Sequence, residues 1–503
     1  MAATHYDVLV IGSGQSGNPV AKAFAKAGRK TAVVERTALG GTCVNVGCTP
    51  TKTIISSGRA AYLARRGADF GVNIGDGPVT ADMARVRERK RDIVQQWNSG
   101  SVRGLQAAGV DVLMGNASFV GDRKLKVALN DGGEKEVSAE TVFLNVGERA
   151  SRPEIPGLED VDPARVLDST SILELDEVPK HLVVMGGGYI GLEFGQLFRR
   201  LGADVTIVQR AKQLVPREDE DVAECMRNIL VQDGITVHLS STVRSISSTK
   251  GARPFVVHAQ SSSYTQPGTD TKKSKRYGPN SKYGHNSVVI MSNAGWQESQ
   301  EALKDPESQS RNFWLSSLAG DGQSHIVVDE KLQTTAAGVY ALGDSHGGPA
   351  FTHMSYDDFR IIRNNCLSDH MPSTTPSMAT TQVSRSRVLV PYCMYTDPQL
   401  AHVGLHARDL NGGAREVKTA KMPMSYVARA LETDEPRGMM KATVDAKTGE
   451  ILGFTCLGME GGEIMSIVQT AMMGELKWWD LEAAVWAHPT LAESLNNLWG
   501  YLE

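Results

Sequence analysis

The amino-acid sequence predicts an α/β protein in which two strand–turn–helix–strand units precede a C-terminal α+β region. Three observations predict this class. A glycine-rich turn follows a short apolar run near residue 12, the same order recurs near residue 186, and the pattern changes after residue 384. At 503 residues the chain is too long for one ordinary core, so two to four domains are expected.

The first unit begins close to the N-terminus. Apolar periodicity predicts a strand, a helix and a second strand, at residues 8–11, 21–27 and 31–34. Gly12, Gly14 and Gly17 lie between the first strand and the helix, and the second strand ends at Glu35. Such glycines let the backbone approach a pyrophosphate at a helix N-terminus, and an acid about twenty residues later can hold both ribose hydroxyls. This order predicts a Rossmann-like dinucleotide-binding domain.

The second unit repeats the order at residues 181–208, with Gly186, Gly188 and Gly191 in its turn. Two such units imply two dinucleotides in two domains. Here the second strand ends in Gln209 and Arg210 instead of an acid. Without the carboxylate, a 2′-phosphate is not repelled and can pair with Arg210 together with Lys212 or Arg217. NADP(H) is therefore favoured over NAD(H), although a solvated basic loop is the alternative.

Between the two units lies a pair of cysteines, Cys43 and Cys48. A straight helix would hold residues five apart at about 8–9 Å between Cα atoms, beyond the usual disulfide range. Gly47 allows the turn to distort and to bring the sulfurs together, while Gly40 and Gly41 leave room for a bulky planar group. We interpret the pair as a redox-active disulfide laid against a flavin; two unrelated buried thiols are the alternative.

Bulk properties exclude several other classes. A net charge of −4 and a pI near 6.3 give no general attraction to nucleic acid or to anionic membranes. Six scattered cysteines are too few for a secreted disulfide scaffold. The N-terminus shows no signal-peptide pattern, and no run reaches the apolar length of a membrane span. The expected location is cytoplasmic.

The remaining segments complete the domain prediction. Strands at 384–393, 440–444 and 451–457, with helical periodicity at 462–474 and from 481 onward, predict a third, α+β domain. The intervening Ser/Thr/Lys-rich and polar stretch predicts a disordered insert at 258–312. Its basic cluster at 272–276 is expected to be a solvated loop, with a nucleic-acid patch as the alternative. The chain is predicted to form three domains. The first combines residues 1–160 and 325–383, the second contains residues 161–324, and the third contains residues 384–503.

Taken together, these motifs resemble the class I pyridine nucleotide–disulfide oxidoreductases, which include dihydrolipoamide dehydrogenase, glutathione reductase and mercuric reductase. Further matching segments are listed by number: 141–149 with Pro153 and Pro156, 186–195, 338–344, 390–404 and 488–493. The local likeness at 48–52 and 353–360 is greatest to the mercuric reductase branch. Because the chain ends without that branch's vicinal cysteines, mercuric ion is not expected to be its physiological substrate.

The resemblance implies an FAD and a nicotinamide cofactor, NADPH with NADH possible. The implied FAD-binding residues are Gly12, Gly14, Gly17, Glu35, Gly41, Thr42, Lys52, Gly147 and Asp344. The implied NAD(P)H-binding residues are Gly186, Gly188, Gly191, Glu193, Arg210 and Lys212. The resemblance also implies that the fold has FAD and NAD(P)H Rossmann-like domains and a dimerisation domain.

The resemblance further assigns catalytic roles. Cys48 is expected to form the thiolate nearer the flavin, and Cys43 the interchange thiol that attacks the acceptor. Lys52 and Glu193 match an ion pair beside the flavin. His488 would exchange the proton of Cys43 and Glu493 would orient it, in the partner subunit of an obligate homodimer.

Three functions remain open from the sequence. The first is an NADPH-dependent reductase of a disulfide, a metal ion or another small oxidant. The second is a flavin-dependent quinone or metal reductase, or an oxidase, without an external disulfide substrate. The third is a flavin-binding remnant without catalysis, which the irregular segment at 240–320 favours and the intact cysteine pair opposes.

Overall fold

The computed structural model describes residues 3–150, 153–248, 255–261, 281–283, 287–291, 296–297, 325–367, 389–410 and 415–503. The chain divides into two compact units. The first contains residues 1–53, 88–151 and 294–388, and the second contains residues 54–87, 152–293 and 389–503. Helices Cys48–Arg65 and Met83–Ala107 have residues in both units. The division into three domains stays a prediction.

The first unit is built on a mainly parallel sheet. Its strands are Thr4–Ile11, Thr31–Glu35, Asp111–Gly121, Lys124–Leu129, Glu134–Leu144 and Val339–Ala341. The first strand pairs in parallel with the second and the fifth, and the fifth pairs in parallel with the last. The third, fourth and fifth form an antiparallel meander. The first strand is predicted from its apolar run, and Leu9 and Val10 are fully buried in it because both faces of the sheet are covered.

Among the residues that the structure describes, three helices belong wholly to the first unit, at Gly17–Lys26, Gly41–Asn45 and Thr352–Cys366. The first of them buries Val20, Ala21 and Phe24 on one face, which satisfies the helical spacing of its apolar residues. This helix begins four residues earlier than the predicted residue 21, because the glycine turn passes directly into helical backbone.

The second unit contains a parallel sheet with the order Thr236–His238, Asp204–Val208, His181–Met185, Ser287–Met291, Val166–Leu167. The predicted strands at 181–185 and 204–208 have the predicted bounds. Helix Tyr189–Leu201 joins these two strands, and helix Glu220–Gln232 follows them. Leu192, Phe194 and Phe198 of the first helix are buried in the core.

The predicted disordered insert at 258–312 is wrong where the structure describes it. Ser287–Met291 is a strand inside the parallel sheet, with Val289 and Ile290 fully buried. Ser241–Ser248, Phe255–Ser261 and Ser281–Tyr283 form an antiparallel sheet. The apolar run at 287–291 has only five residues and lies among polar segments, so the average composition of the region does not indicate a strand. Pairing with His181–Met185 stabilises the strand. The basic cluster at 272–276 lies outside the described residues.

The C-terminal part of the second unit is an antiparallel sheet with short helices. Its strands are Tyr392–Met394, Gln399–Gly404, Val417–Pro423, Met439–Asp445 and Ile451–Gly458. Its α-helices are Ala407–Leu410, Ala428–Glu432, Gly461–Met473, Trp478–Ala483 and Ser494–Leu498. The strand predicted at 384–393 is described only from residue 389 and begins at Tyr392, after Pro391, which has no N–H to donate.

Short elements complete the described chain. The 3₁₀ turns are Gly67–Phe70, Pro163–Arg165, Ser171–Glu174, Gly343–His346, Met424–Tyr426, Leu491–Glu493 and Trp499–Tyr501. Arg149–Ala150 pairs with Trp296–Gln297. None of the helices described here has both the length and the apolar character that crossing a bilayer requires.

Candidate active site

The first glycine turn is packed so closely that larger residues do not fit. Gly12 has φ +93°, and a Cβ on it would lie 2.2 Å from the backbone oxygen of Asn145. A Cβ on Gly17 would lie 2.2 Å from the oxygen of Gly12, and one on Gly14 would lie 2.6 Å from Asn145 Oδ1. The Gly17 N–H donates to Asn145 Oδ1 at 3.0 Å. Asn145 therefore fixes the turn, a role that its position more than a hundred residues away conceals from sequence reasoning.

Glu35 is a buried acid that is held in one orientation. Its Oε2 accepts hydrogen bonds from Ser13 N at 3.0 Å and Ser13 Oγ at 2.6 Å. Its Oε1 accepts one from Thr37 N at 2.9 Å. Each carboxylate oxygen has more than one lone pair, so Glu35 can still accept from the hydroxyls of a ribose. The tight turn, the helix N-terminus and this fixed acid fit a bound dinucleotide.

The helix that carries Cys43 packs directly on the glycine turn. A Cβ on Gly41, which has φ +66°, would lie 2.6 Å from the Cα of Gly14. Gly40 has φ +105° and closes against Val44. Thr42 is exposed beside them. Glycine is required at residue 41 because two backbones meet there, and this contact brings the cysteine helix to the dinucleotide turn.

Cys43 and Cys48 lie on two separate helices, Gly41–Asn45 and Cys48–Arg65, broken at residues 46–47. Both are thiols here, and their side chains share a hydrogen bond. Cys48 Sγ also lies 3.4 Å from Thr352 Oγ1, at the N-terminus of helix Thr352–Cys366. No local motif marked Thr352, because it comes from about three hundred residues further along the chain.

The electrostatics of the pair are asymmetric. The hydrogen bond to Cys48, followed by burial, raises the pKa of the Cys43 thiol. The Thr352 hydroxyl and the charge of Lys52 act in the opposite direction but do not outweigh them. Removing a second proton from two touching thiols is unfavourable, so the pair favours a state with one thiolate and one thiol.

Asp344 lies on the turn Gly343–His346, after the last strand of the first unit. Burial raises the pKa of its carboxyl. The turn is anchored by Asp358, whose Oδ2 accepts from Gly343 N at 2.6 Å and contacts His346 Nε2 at 2.9 Å. Gly147, with φ +66°, follows the strand Glu134–Leu144 at the same carboxyl edge of the sheet. This edge is where ligands bind in open parallel sheets.

The second glycine turn opens helix Tyr189–Leu201. Gly186 has φ +110°, Gly188 precedes the helix, and Gly191 is buried within it. Gln209 takes the place of an acid: its Oε1 accepts from Gly187 N at 3.3 Å, and its Nε2 donates to Gln213 O at 3.2 Å. The turn is thus tied to the end of the second strand without a negative charge.

The two predicted phosphate-binding cations differ. Arg210 is exposed immediately after Gln209. Lys212 is also exposed, but its Nζ forms an ion pair with Glu220. An arginine can bind a phosphate through two parallel N–H donors. A lysine that already contacts a carboxylate must divide its N–H donors between that carboxylate and the phosphate, or give up the carboxylate contact. Arg210 is therefore the better candidate of the two.

Glu193 and Lys52 lie in different compact units. Glu193 is buried on helix Tyr189–Leu201, and its Oε1 accepts from Tyr395 N at 2.8 Å. Lys52 is half-buried, and its charge opposes, without outweighing, the rise in the pKa of Cys43. Their pairing beside the flavin stays a prediction.

His488 and Glu493 form a hydrogen-bonded dyad. The imidazole Nδ1 lies 2.9 Å from Glu493 Oε2 and 3.0 Å from Oε1. The His488 side chain is 69% exposed. Engagement of Nδ1 by a carboxylate orients the ring and leaves Nε2 as the ring atom for proton exchange. The sequence spacing indicated this pair, and the structure brings its two members together.

A polar cluster in the second unit contains Glu218, His402 and His406, whose ligand atoms lie close enough to suit a metal ion. The two imidazole rings stack with centroids 3.8 Å apart and planes 9° apart. Imidazole lone pairs lie in the ring plane, so stacked rings cannot both point at one ion. His402 also bonds through both nitrogens, to Thr455 Oγ1 at 2.8 Å and Gly404 O at 3.0 Å. This geometry is that of a buried polar network.

Family models settle the class of the protein. Residues 6–358 match the pyridine nucleotide-disulphide oxidoreductase model, and residues 390–498 match the dimerisation domain of the same family. The chain belongs to this family. The resemblance drawn from the motifs, the α/β class with Rossmann-like domains, and the C-terminal dimerisation domain are thereby confirmed.

Individual relatives agree with the family assignment. The chain is 31% identical over 501 residues to the probable pyridine nucleotide-disulfide oxidoreductase RclA of Escherichia coli K12, covering 99% of each chain. It is 29% identical to a mercuric reductase of Bacillus cereus, covering 98% of this chain and 70% of that protein. The solved structure of RclA, described as a HOCl-induced flavoprotein disulfide reductase, superposes with a TM-score of 0.82, 30% identity and coverage of 98% and 99%.

As a pyridine nucleotide-disulphide oxidoreductase, the protein is an enzyme that uses FAD and NAD(P)H. Its electrons pass from the nicotinamide through the flavin to a disulfide. The dimerisation domain indicates a homodimer.

Proposed function

We propose that this enzyme oxidises NADPH and delivers the electrons, through the Cys43–Cys48 pair, to a small disulfide or a thiophilic metal ion. The observation that carries the proposal is the hydrogen-bonded contact of the two cysteines, close to the place where the Gly41 backbone packs on Gly14 of the first glycine turn. A thiol pair seated against a dinucleotide turn is positioned to exchange electrons with the ligand of that turn.

FAD, when bound, supplies two-electron transfer between the nicotinamide and the disulfide. The residues proposed to hold it are those at the carboxyl edge of the first sheet. Ser13 and Asn145 would hold Glu35 and the glycine turn in the positions that suit a pyrophosphate, and Glu35 would accept hydrogen bonds from the ribose hydroxyls. Asp344, whose pKa burial raises, and Gly147 line the same edge and suit the polyol chain.

Two electrons and one proton convert the Cys43–Cys48 disulfide into one thiol and one thiolate. The two sulfurs share one hydrogen bond and so keep one proton between them, and we assign the thiolate to Cys48 because the Thr352 hydroxyl can also donate to it. Cys48 then accepts hydrogen bonds from the Cys43 thiol and from Thr352 Oγ1, 3.4 Å away. This assignment agrees with the expectation that Cys48 is the sulfur nearer the flavin.

Cys43 needs a base because its own pKa is raised. We assign this role to His488 of the partner subunit, with Glu493 holding its Nδ1 so that Nε2 can receive the proton. With a disulfide acceptor, the Cys43 thiolate forms a mixed disulfide and displaces the first thiolate, which takes the proton of the imidazolium. Cys48 then attacks Cys43, re-forms the internal disulfide and displaces the second thiolate, which takes its proton from solvent.

A metal ion is an equally direct acceptor. Two thiolates offer the soft ligands that copper and mercury prefer, and two Cu(II) ions would each take one electron as the disulfide re-forms. A solved structure of RclA is a complex with Cu(II), at a TM-score of 0.81 and 29% identity to this chain. That likeness supports a metal ion within the acceptor class. The reducing cytoplasm is the compartment in which such a thiol pair can cycle.

The test is an anaerobic titration of the purified holoenzyme with NADPH. A long-wavelength absorption band at two electrons per flavin is expected, because the Cys48 thiolate lies next to the flavin. Cys48→Ser should abolish the band and Cys43→Ser should retain it permanently. Cys225→Ser, at a half-buried thiol on helix Glu220–Gln232, is the matched control and should behave as wild type.

Acceptors are then compared by steady-state turnover with oxidised glutathione, lipoamide, quinones, Cu(II) and Hg(II). Loss of turnover in Cys43→Ser is expected for disulfide and metal acceptors. Turnover of a quinone that survives both cysteine substitutions would instead support the quinone-reductase alternative. The non-catalytic alternative requires that neither NADPH nor NADH reduces the flavin.

A further inference from the structure

One face of helix Tyr189–Leu201 holds the segment that precedes strand Gln399–Gly404. Glu193, Gln196 and Arg200, spaced i, i+3 and i+7, all lie on this face. Glu193 Oε1 accepts from Tyr395 N at 2.8 Å, and both Gln196 and Arg200 bond Asp397. We call residues 395–397 the docked segment.

Gln196 makes the most specific of these contacts. Its side chain is 3% exposed, and its amide matches both backbone groups of one residue. Gln196 Oε1 accepts from Asp397 N at 2.7 Å, while Nε2 donates to Asp397 O at 2.8 Å and to Asp233 Oδ2 at 2.7 Å. An amide whose oxygen and nitrogen both form hydrogen bonds has a single orientation. Gln196 therefore fixes the position of the docked segment along the helix axis.

The carboxylate of Asp397 adds ion pairs that hold the docked segment in place. Its carboxylate receives the guanidinium groups of Arg59 and Arg200, and Arg437 donates to its backbone oxygen at 3.2 Å. Burial by itself would raise the pKa of Asp397, but the charges of Arg200 and Arg59 hold it below its ordinary value. Asp397 is therefore ionised at neutral pH, and the segment is held from both backbone and side chain.

We infer that Gln196 and Asp397 are positioning residues for hydride transfer, because they fix the Tyr395 N–H that holds the Glu193 carboxylate. This inference rests on the proposed role of Glu193 beside the flavin and nicotinamide. A displacement of about 1 Å in a group that orients a reaction can cost about 100-fold in rate. The docked segment thus sets where Glu193 lies without touching the reacting atoms.

The test measures flavin reduction by NADPH in an anaerobic stopped-flow experiment on the holoenzyme. Gln196→Leu keeps the volume of the side chain and removes both bonds to Asp397. The reduction rate is expected to fall about tenfold, and the isotope effect with NADPH deuterated at C4 should rise. Reoxidation by the acceptor should stay unchanged, because that half-reaction does not use the nicotinamide. Asp397→Asn keeps both backbone bonds to Gln196 and removes only the charge between Arg59 and Arg200, so it should lose less, and it serves if the leucine variant does not fold.

The control is Asp434→Asn, which removes an exposed ion pair with Arg66 at the edge of the same polar network. Asn tolerates the φ of +51° at this position, so wild-type kinetics are expected. Unchanged reduction and isotope effect in Gln196→Leu would overturn the inference, as would equal slowing of both half-reactions. If Glu193→Gln slows reduction but Gln196→Leu does not, the inference alone fails. If Glu193→Gln has no effect, the proposed role of Glu193 fails first.

Discussion

The two glycine turns share one sequence pattern but are stabilised in opposite ways. In the first unit, Asn145 and Glu35 close around the turn with a side-chain amide and a fixed carboxylate. In the second unit, the neutral Gln209 binds Gly187 N, and the exposed Arg210 follows it. The first turn therefore offers a negative acceptor for hydroxyls, whereas the second offers a positive donor for phosphate.

We infer from this difference that the glycine fingerprint specifies the backbone shape of the turn, while the residues at the strand end select the ligand. Both turns present N–H groups at a helix N-terminus, which any pyrophosphate can use. We propose that the discrimination between a flavin nucleotide and NADPH depends on the residues that complete each turn. Exchanging those residues between the two turns therefore tests whether they select the ligand.

The largest effect is expected from Gly17→Ala. Its Cβ would lie 2.2 Å from the oxygen of Gly12, so the turn must open. We expect FAD to be lost on purification and the free energy of unfolding to fall by about 3 kcal/mol. Absorbance at 450 nm per protein and chemical denaturation measure the two quantities.

Gly188→Ala, at the position equivalent to Gly14, is the contrasting substitution in the second turn. No atom lies within 4 Å of its Cβ, so FAD content and stability should be those of the wild type, with only the KM for NADPH raised. Equal loss of FAD in both variants would contradict the idea that Gly17 is closely packed and that Gly188 has free space around its Cα.

A smaller loss is expected from Glu35→Gln. The amide nitrogen cannot accept the bonds from Ser13 or Thr37, and hydrogen bonds to charged groups contribute about 1.5–3 kcal/mol. FAD affinity should fall about 10–100-fold, measured by the fluorescence of released flavin. If Glu35→Gln binds FAD as tightly as the wild type, the carboxylate is not what defines the first site.

The reverse exchange is the double substitution Gln209→Glu with Arg210→Ala. It places an acid where the first unit has Glu35 and removes the exposed guanidinium, so the second turn should prefer NADH. The ratio of kcat/KM for NADPH to that for NADH is expected to fall about 10–100-fold. FAD content should not change. An unaltered ratio would show that coenzyme choice lies elsewhere.

The smallest effect is expected from Lys212→Ala. This side chain and its partner Glu220 are 71% and 76% exposed, and exposed ion pairs contribute at most about 1 kcal/mol. The kcat/KM for NADPH should change by no more than about threefold, and stability should be unchanged. A loss as large as that of Arg210→Ala would make Lys212 an equal phosphate ligand.

Much of the fold could be predicted because its signals are local. The bounds of strands His181–Met185 and Asp204–Val208 follow from short apolar runs next to glycine turns. The strand Ser287–Met291 could not be predicted, because its five residues lie in a polar stretch and its stability comes from pairing with His181–Met185. Composition averaged over a long window conceals such a strand.

Short segments of the chain are enough to reveal the candidate reacting groups, because the cysteine pair, the His488–Glu493 spacing and the two glycine turns with different strand ends are local patterns. The distant groups that contact them are found only in the folded chain. Asn145 at the first turn, Thr352 beside Cys48 and the docked segment beneath Glu193 approach from positions one hundred to three hundred residues away. Hydrogen bonds act over about 3 Å in space whatever the separation along the chain, so spacing in sequence carries no information about them.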